Sequence, residues 1–342
     1  MELDDRKARV LRAVIQDFVQ TALPVGSKTL VERYTLGISP ATVRNELAAL
    51  EEQGYLSHPH TSAGRVPTDI GYRWYVDTLR NLGSVARAQQ DAIERHFDGV
   101  SDMEELLLRT SVLLASLTRL TAVVIQPSLD RSRLRHVELV SLSRRAVLIV
   151  LIVETGRVAK RVAELPDEAT PEALDHLGKH LNELLVGQRL DEATAALDAG
   201  ADRVGPEGGT LYDTIARTIG SMADDQGSQR VFIGGQAHIA GPGVFDAIET
   251  VQAVFEALEQ QVILLRLLQA AIGSEQVSVT IGSENVIESM RACSVVAAQY
   301  PAGDATGNIG VLGPTRMDYL RAMVAVQAVA KHLGAVLEDV AH

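Results

Sequence analysis

The sequence predicts an α+β multidomain chain: an N-terminal winged helix-turn-helix, then an α+β body interrupted by a mainly helical insertion. Three observations predict it. Residues 1–80 read as three helices, the third cleanly capped, followed by a returning hairpin. Beyond residue 120 the helical apolar repeat gives way to short β-rich runs. Those runs fall in two groups, at 122–164 and 277–312, with helical segments between them, which is the order of a sheet body split by an insertion.

The elements follow in order. Leu3 to Thr21 carries Val10, Val14 and Phe18 at four-residue spacing, with Leu11 and Ile15 beside them, a helical pattern. Pro24 and Gly26 end it. Ser27 caps a second helix, Lys28 to Tyr34, with Leu30 and Val31 inward. Thr35-Leu36-Gly37-Ile38 makes the turn. Ser39 caps the third helix, and Pro40 takes its first position, where the missing N–H costs nothing. Val43, Leu47 and Leu50 form its core stripe. Gly54 stops it, Tyr55-Leu56 starts a strand, and His58 to Thr68 loops back through Arg65-Val66. Pro59 and Pro67 stiffen the two arms of this wing.

Two short helices joined by a tight turn form a helix-turn-helix, whose second helix reads DNA. Its outward face near the N-terminus offers Ala41, Thr42, Arg44, Asn45 and Ala48. Arginine makes a bidentate contact to guanine and asparagine to adenine, while small residues let the backbone approach the bases. His60, Thr61, Ser62 and Arg65 are phosphate-binding side chains, and Ala63-Gly64 keep the wing tip slim. The expected DNA-binding set is Ser39, Ala41, Thr42, Arg44, Asn45, His60, Thr61, Ser62 and Arg65. The competing reading is a winged helix used for protein contact. His58 and His60 lack the further ligands of a metal site.

Charge agrees once its distribution is read. The net charge is −12, from 32 Lys+Arg and 44 Asp+Glu. Residues 1–80 hold ten of each sign, so the excess acid lies beyond them. A neutral head binds DNA if its basic side chains share a face. A length of 342 residues implies roughly two or three domains, and the 4% aromatic content requires aliphatic cores. Cys293 is the only cysteine, so no intramolecular disulfide forms, which fits a cytoplasmic location. MELDDRKARV lacks the apolar region of a signal peptide, and no uncharged apolar run reaches the ~18–20 residues of a span.

In the body, Gly71 to Leu82 predicts a helix whose Tyr72, Trp74 and Tyr75 pack rather than stack on bases. Ser84 to Val100 and Met103 to Leu120 continue helical. Strands follow at Ala122–Gln126, His136–Ser141, Ala146–Glu154 and Val158–Glu164, with a Thr155-Gly156 hairpin turn. Helices are predicted at Thr170–Val186, Leu211–Met222 and Val244–Ala271. Strands are predicted at Arg230–Gly235, Val277–Ile281, Ser294–Tyr300 and Gly307–Leu312, with a strand-like start at Ile239 and a last helix from Met317 to Leu337.

Nothing reads as catalytic. FIGGQAHIAGPG at 232–243 lacks the lysine of a P-loop and the spacing of a dinucleotide fingerprint. His176 and His180 stand four apart without the glutamate of a zinc-protease helix, and read as a solvated face. Cys293 sits among apolar neighbours, a buried small residue rather than a nucleophile.

Three segments carry a family resemblance. PHTSAGRVPTDIGYRWYVD at 59–77, IGSENVIESMRACSVVAAQY at 281–300 and GNIGVLGPTRMDYLRAMVAV at 307–326 resemble HrcA, the bacterial heat-inducible transcription repressor family. No motif matches across roughly 165–230. The resemblance implies a homodimeric repressor of chaperone operons, bound to an inverted-repeat operator of the CIRCE type on double-stranded DNA. It implies a GAF-like α+β body with an inserted dimerisation domain, and an Hsp60-type chaperonin as folding modulator. It implies no cofactor, metal or catalytic residue. The expected division is 1–80 for the DNA-binding domain and 81–120 for a helical connector. Residues 121–164 with 266–342 form the GAF-like domain, and 165–265 the inserted dimerising domain. GAF domains often enclose a ligand; Ile281 to Asn285 and Gly303 to Asn308 would line such a pocket, which is expected to be filled by side chains. A metabolite-responsive winged-helix regulator is the alternative, and an enzyme with a DNA-binding appendage a third reading.

Overall fold

The computed structural model describes residues 3–59, 64–79, 93, 95–97, 102–128, 131–200, 209–223, 229–241, 243–245, 247–273 and 276–341. The chain opens with α1 (Asp5–Thr21), α2 (Ser27–Arg33) and α3 (Pro40–Glu52). Asp4 caps α1, its carboxylate accepting from the Lys7 amide at 2.9 Å, and Ala22 closes it in the left-handed region. Ser39 caps α3 by accepting from the Thr42 amide at 3.2 Å. Val10, Leu11, Val14 and Ile15 of α1, Leu30 of α2, and Val43, Leu47 and Leu50 of α3 are buried together. A two-stranded antiparallel ribbon follows, β1 (Leu56–Ser57) against β2 (Val66–Pro67), with Leu56 opposite Pro67. Its return arm is tied to the α1–α2 connection, where Val25 and Arg65 exchange two backbone hydrogen bonds of 2.9 Å. A Cβ at Gly64 would stand 2.4 Å from the Val25 carbonyl oxygen, so this approach requires glycine. Thr68 then caps α4 (Asp69–Thr78).

The body is a five-stranded antiparallel sheet. After α5 (Met103–Thr118) comes β3 (Thr121–Ile125). The chain leaves and returns as β7 (Val231–Gly234), β8 (Ser278–Ile281), β9 (Cys293–Ala302) and β10 (Ala305–Pro314). The strand order is β7-β3-β10-β9-β8. One face packs Val296, Ala298, Tyr300, Ile309 and Val311 against α5 and the closing α11 (Tyr319–Ala341). The opposite face packs Val123, Ile125, Val295, Ala297 and Leu312 against α9 (Ile248–Glu259) and α10 (Gln261–Ala271). Alternate residues of each strand therefore serve opposite layers, as the pleat requires. Among the described residues, the stretch Tyr319–Glu338 is the one helix long and apolar enough to cross a membrane; half of it is buried against the body.

Between β3 and β7 lies a separate lobe. β4 (Leu134–Ser143), β5 (Ala146–Val153) and β6 (Val158–Glu164) form an antiparallel meander. One face of it packs on α6 (Pro171–Leu185), α7 (Leu190–Gly200) and α8 (Gly209–Ala223). This grouping differs from the expected division at 164/165 and 265/266. β4 to β6 pair only with one another among the described residues, and β7, α9 and α10 pack with the central sheet. Alternating burial along β5, with Val147, Ile149, Leu151 and Val153 inward, marks a strand with one open face rather than one inside a covered sheet. The single helix expected over 244–271 is two helices meeting at Gln260. Ile239 follows a short helical turn, Gln236–His238, and starts no strand. The expected helix over 84–100 lies largely outside the described residues.

Candidate nucleic-acid interface

The α3 face opposite its core stripe is open to solvent. Ala41, Arg44, Asn45 and Ala48 are all exposed and share one side at i, i+3, i+4 and i+7 spacing. Arg44 and Asn45 hold no hydrogen bond or ion pair among the described residues. In the first turn Pro40 has no N–H, and Ser39 takes up the amides of Thr42 and Val43, which leaves the Ala41 amide at the helix end where the dipole favours an anion. Ser39 is exposed, and its hydroxyl lies 2.9 Å from that of half-buried Thr42. The turn ahead of α3 is held from behind: the Arg9 guanidinium donates to the Leu36 carbonyl at 2.5 Å, and Gly37 takes a φ of +70°.

The wing residues divide. His60, Thr61 and Ser62 lie outside the described residues. Arg65 is engaged within the head. Its guanidinium reaches back to the α3 carboxylate of Glu51 at 2.7 Å, and its Nε is buried with no partner among the described residues. Together with the Val25 bridge, this makes Arg65 the anchor that fixes the ribbon to α3. The neighbouring Glu51 was the available signal, but residue type alone does not reveal the pairing.

Tyr72 and Tyr75 are buried, and Trp74 packs partly buried beside them, which is the packing role expected of these aromatics. The remaining candidates fall away on geometry. His180 is half-buried, its ring 6.2 Å from that of Tyr212, while His176 is exposed. No cluster of three potential metal ligands occurs among the described residues. Burial pushes the Cys293 thiol up to about 12. The two segments expected to line a GAF-like pocket stand apart. Ile281 pairs with Ser294 and Gly307 with Tyr300, positions roughly 20 Å apart along β9 at ~3.3 Å per residue. The Asn285 amide is spent on the carbonyls of Gly282, Met290 and Cys293.

Residues 104–323 match the family described as HrcA protein C terminal domain. The heat-inducible transcription repressor HrcA of Streptomyces avermitilis is 44% identical over 338 residues, covering 98% of this chain and 99% of that protein. Its counterpart in Acidothermus cellulolyticus is 45% identical over 338 residues with the same coverage. A crystal structure of a hypothetical protein superposes with a TM-score of 0.65 at 21% identity, covering 99% of this chain and 100% of that one, a likeness of fold.

Proposed function

The chain belongs to the HrcA family of heat-inducible transcription repressors, and from that premise we propose that it is a homodimeric, cytoplasmic repressor of chaperone operons. It binds an inverted-repeat operator of the CIRCE type through residues 1–80, read as a winged helix-turn-helix. The observation that carries this reading is the exposed, unpaired α3 face bearing Ala41, Arg44, Asn45 and Ala48. Arg44 and Asn45 read base edges; Ser39, Thr42, His60, Thr61 and Ser62 hold phosphates or groove edges. Arg65 sets the wing against α3 through Glu51. Footprinting upstream of the chain's own chaperonin operon tests the assignment. Protection of a palindrome is the expected result, and unprotected promoter DNA at low ionic strength rejects it.

The inserted dimerising unit is proposed to run over 131–223, the lobe with its own core. Its open sheet face supports a twofold. Val140, Leu142, Val158 and Val162 are 41–55% exposed, and between them lie the half-buried Leu148, Val150 and Ile152. A cross-strand row reads Glu138, Val150, Lys160, with Val140, Leu148, Val162 on one side and His136, Ile152, Val158 on the other. A twofold axis along β5 lays Glu138 over the partner's Lys160 and matches the apolar rows, an isologous contact. The Hsp60-type chaperonin is proposed to act on folding. Ala122 pairs with Val311 and Gly234 across the whole lobe, a topology that closes slowly and exposes apolar surface meanwhile.

A further inference from the structure

The three segments that stand out in the sequence, 59–77, 281–300 and 307–326, meet at one place: the joint between the head and the sheet body. Asp69, the first residue of α4, accepts the Ser283 amide at 2.8 Å. Its carboxylate occupies the space a side chain at residue 282 would need. A Cβ there would stand 2.3 Å from it, and Gly282 itself holds a φ of +50°. One turn on, Arg73 spreads over Glu284. Its Nε donates to Oε1 at 2.8 Å, and its Nη2 donates to Oε2 and, at 2.7 Å, to the Val279 carbonyl of β8. The same Glu284 carboxylate accepts the Ile281 amide at 2.8 Å, so it is fixed to the body before it grips the head. Behind this fork the Tyr72 ring lies 5.6 Å from that of Tyr319, whose hydroxyl is held by Ser294 and Thr315.

α4 belongs to both units. It packs on α1 and β2 in the head and on β8 in the body. Apolar contact is non-directional, whereas a two-point arginine–carboxylate fork fixes an angle. We propose that Asp69, Arg73 and Glu284 are positioning residues for operator binding. They set the direction of the DNA-reading head on the body, and through it the half-site spacing a dimer accepts, without touching DNA. This inference rests on the repressor reading above.

The test uses the full-length dimer and duplexes from the footprinted operator, one carrying a single half-site and a series carrying both with the spacer changed one base pair at a time. The wild type is expected to show a sharp spacer optimum. Arg73→Gln, Glu284→Gln and Gly282→Ala, the last displacing Asp69 without altering charge, are expected to bind the single half-site within twofold of wild type. On the full operator they are expected to lose tenfold or more, with a broadened spacer profile. Sedimentation and thermal melting establish that each variant remains a folded dimer. An unchanged spacer profile in folded variants overturns the proposal, as does an equal loss on half-site and full site, which would mark the joint as support for the head alone. A wild type that ignores every palindromic duplex removes the repressor reading first, and the joint's role with it.

Discussion

At the scale of single residues, exposure and pairing separate chemistry from scaffolding. Arg44 has the donors for guanine and no partner for them among the described residues, so Arg44→Ala is expected to lose ~1–3 kcal/mol of operator affinity and to relax preference at one base pair. Fluorescence anisotropy on operator point variants measures both; unchanged selectivity removes Arg44 from base reading. Arg65 differs, because its charge is already spent on Glu51. Arg65→Ala is expected to lower the melting temperature of the head while leaving the slope of binding against salt nearly unchanged. A lost phosphate contact would instead reduce that slope by about 1. Tyr72 presents the opposite case, a buried hydroxyl with no partner among the described residues. An unsatisfied buried polar group costs ~1–3 kcal/mol, so Tyr72→Phe is expected to raise stability. A lower melting temperature would mean that the hydroxyl has a partner. Cys293, held near 12 by burial, is expected to resist alkylation at pH 8 until the chain unfolds. The unfolded thiol ionises at its ordinary value near ~8.5. The stability linked to this residue is therefore intact below that pH and declines as pH climbs toward 12.

At the scale of elements, local chemistry was legible and pairing was not. Ser39 and Pro40 announce the start of α3, and the structure begins that helix at Pro40 with Ser39 as its cap. Thr155-Gly156 announces the β5–β6 turn, and Gly156 adopts a φ of +78° there. These signals are encoded within a few residues. Membership of a sheet is not, because a strand carries no record of which edge it will meet. Element order alone therefore groups β4, β5 and β6 with the body, whereas in the structure they share a core with Leu174, Leu181 and Ile219. The site was legible to the same extent: the exposed α3 face followed from periodicity, while the Glu51–Arg65 pair and the Asp69–Arg73–Glu284 joint required three dimensions. The open face of β4–β6 carries its own expectation. Val162→Asp puts a charge at the β6 end of the Val140–Leu148–Val162 row, and sedimentation is expected to show monomer with half-site affinity retained and full-operator affinity lost. A dimer of undiminished stability would place the twofold elsewhere.

At the scale of the whole molecule, the connectivity sets the order in which surfaces can close. The head is local: α1 to α4 and the ribbon are contiguous and share one end of a core. The sheet is not, since β3 waits for β10 and β7, which follow the lobe. Chains of this connectivity fold through intermediates with exposed apolar surface, and for a net stability of only ~5–15 kcal/mol a modest rise in temperature repopulates them. Trp74 is the only tryptophan, and it packs beside the joint where α4 meets the body. It therefore reports docking of the head rather than formation of helix. After dilution from denaturant, far-ultraviolet dichroism is expected to recover first and Trp74 fluorescence later, with operator binding following the fluorescence. An Hsp60-type chaperonin with ATP is expected to raise the recovered operator-binding fraction several-fold, and an excess of an unrelated unfolded protein to abolish that gain by occupying the chaperonin. Equal recovery with and without chaperonin would separate the heat response from folding. The response would then have to come from the joint or the dimer contact, which spacer profiles and sedimentation measured across temperature distinguish.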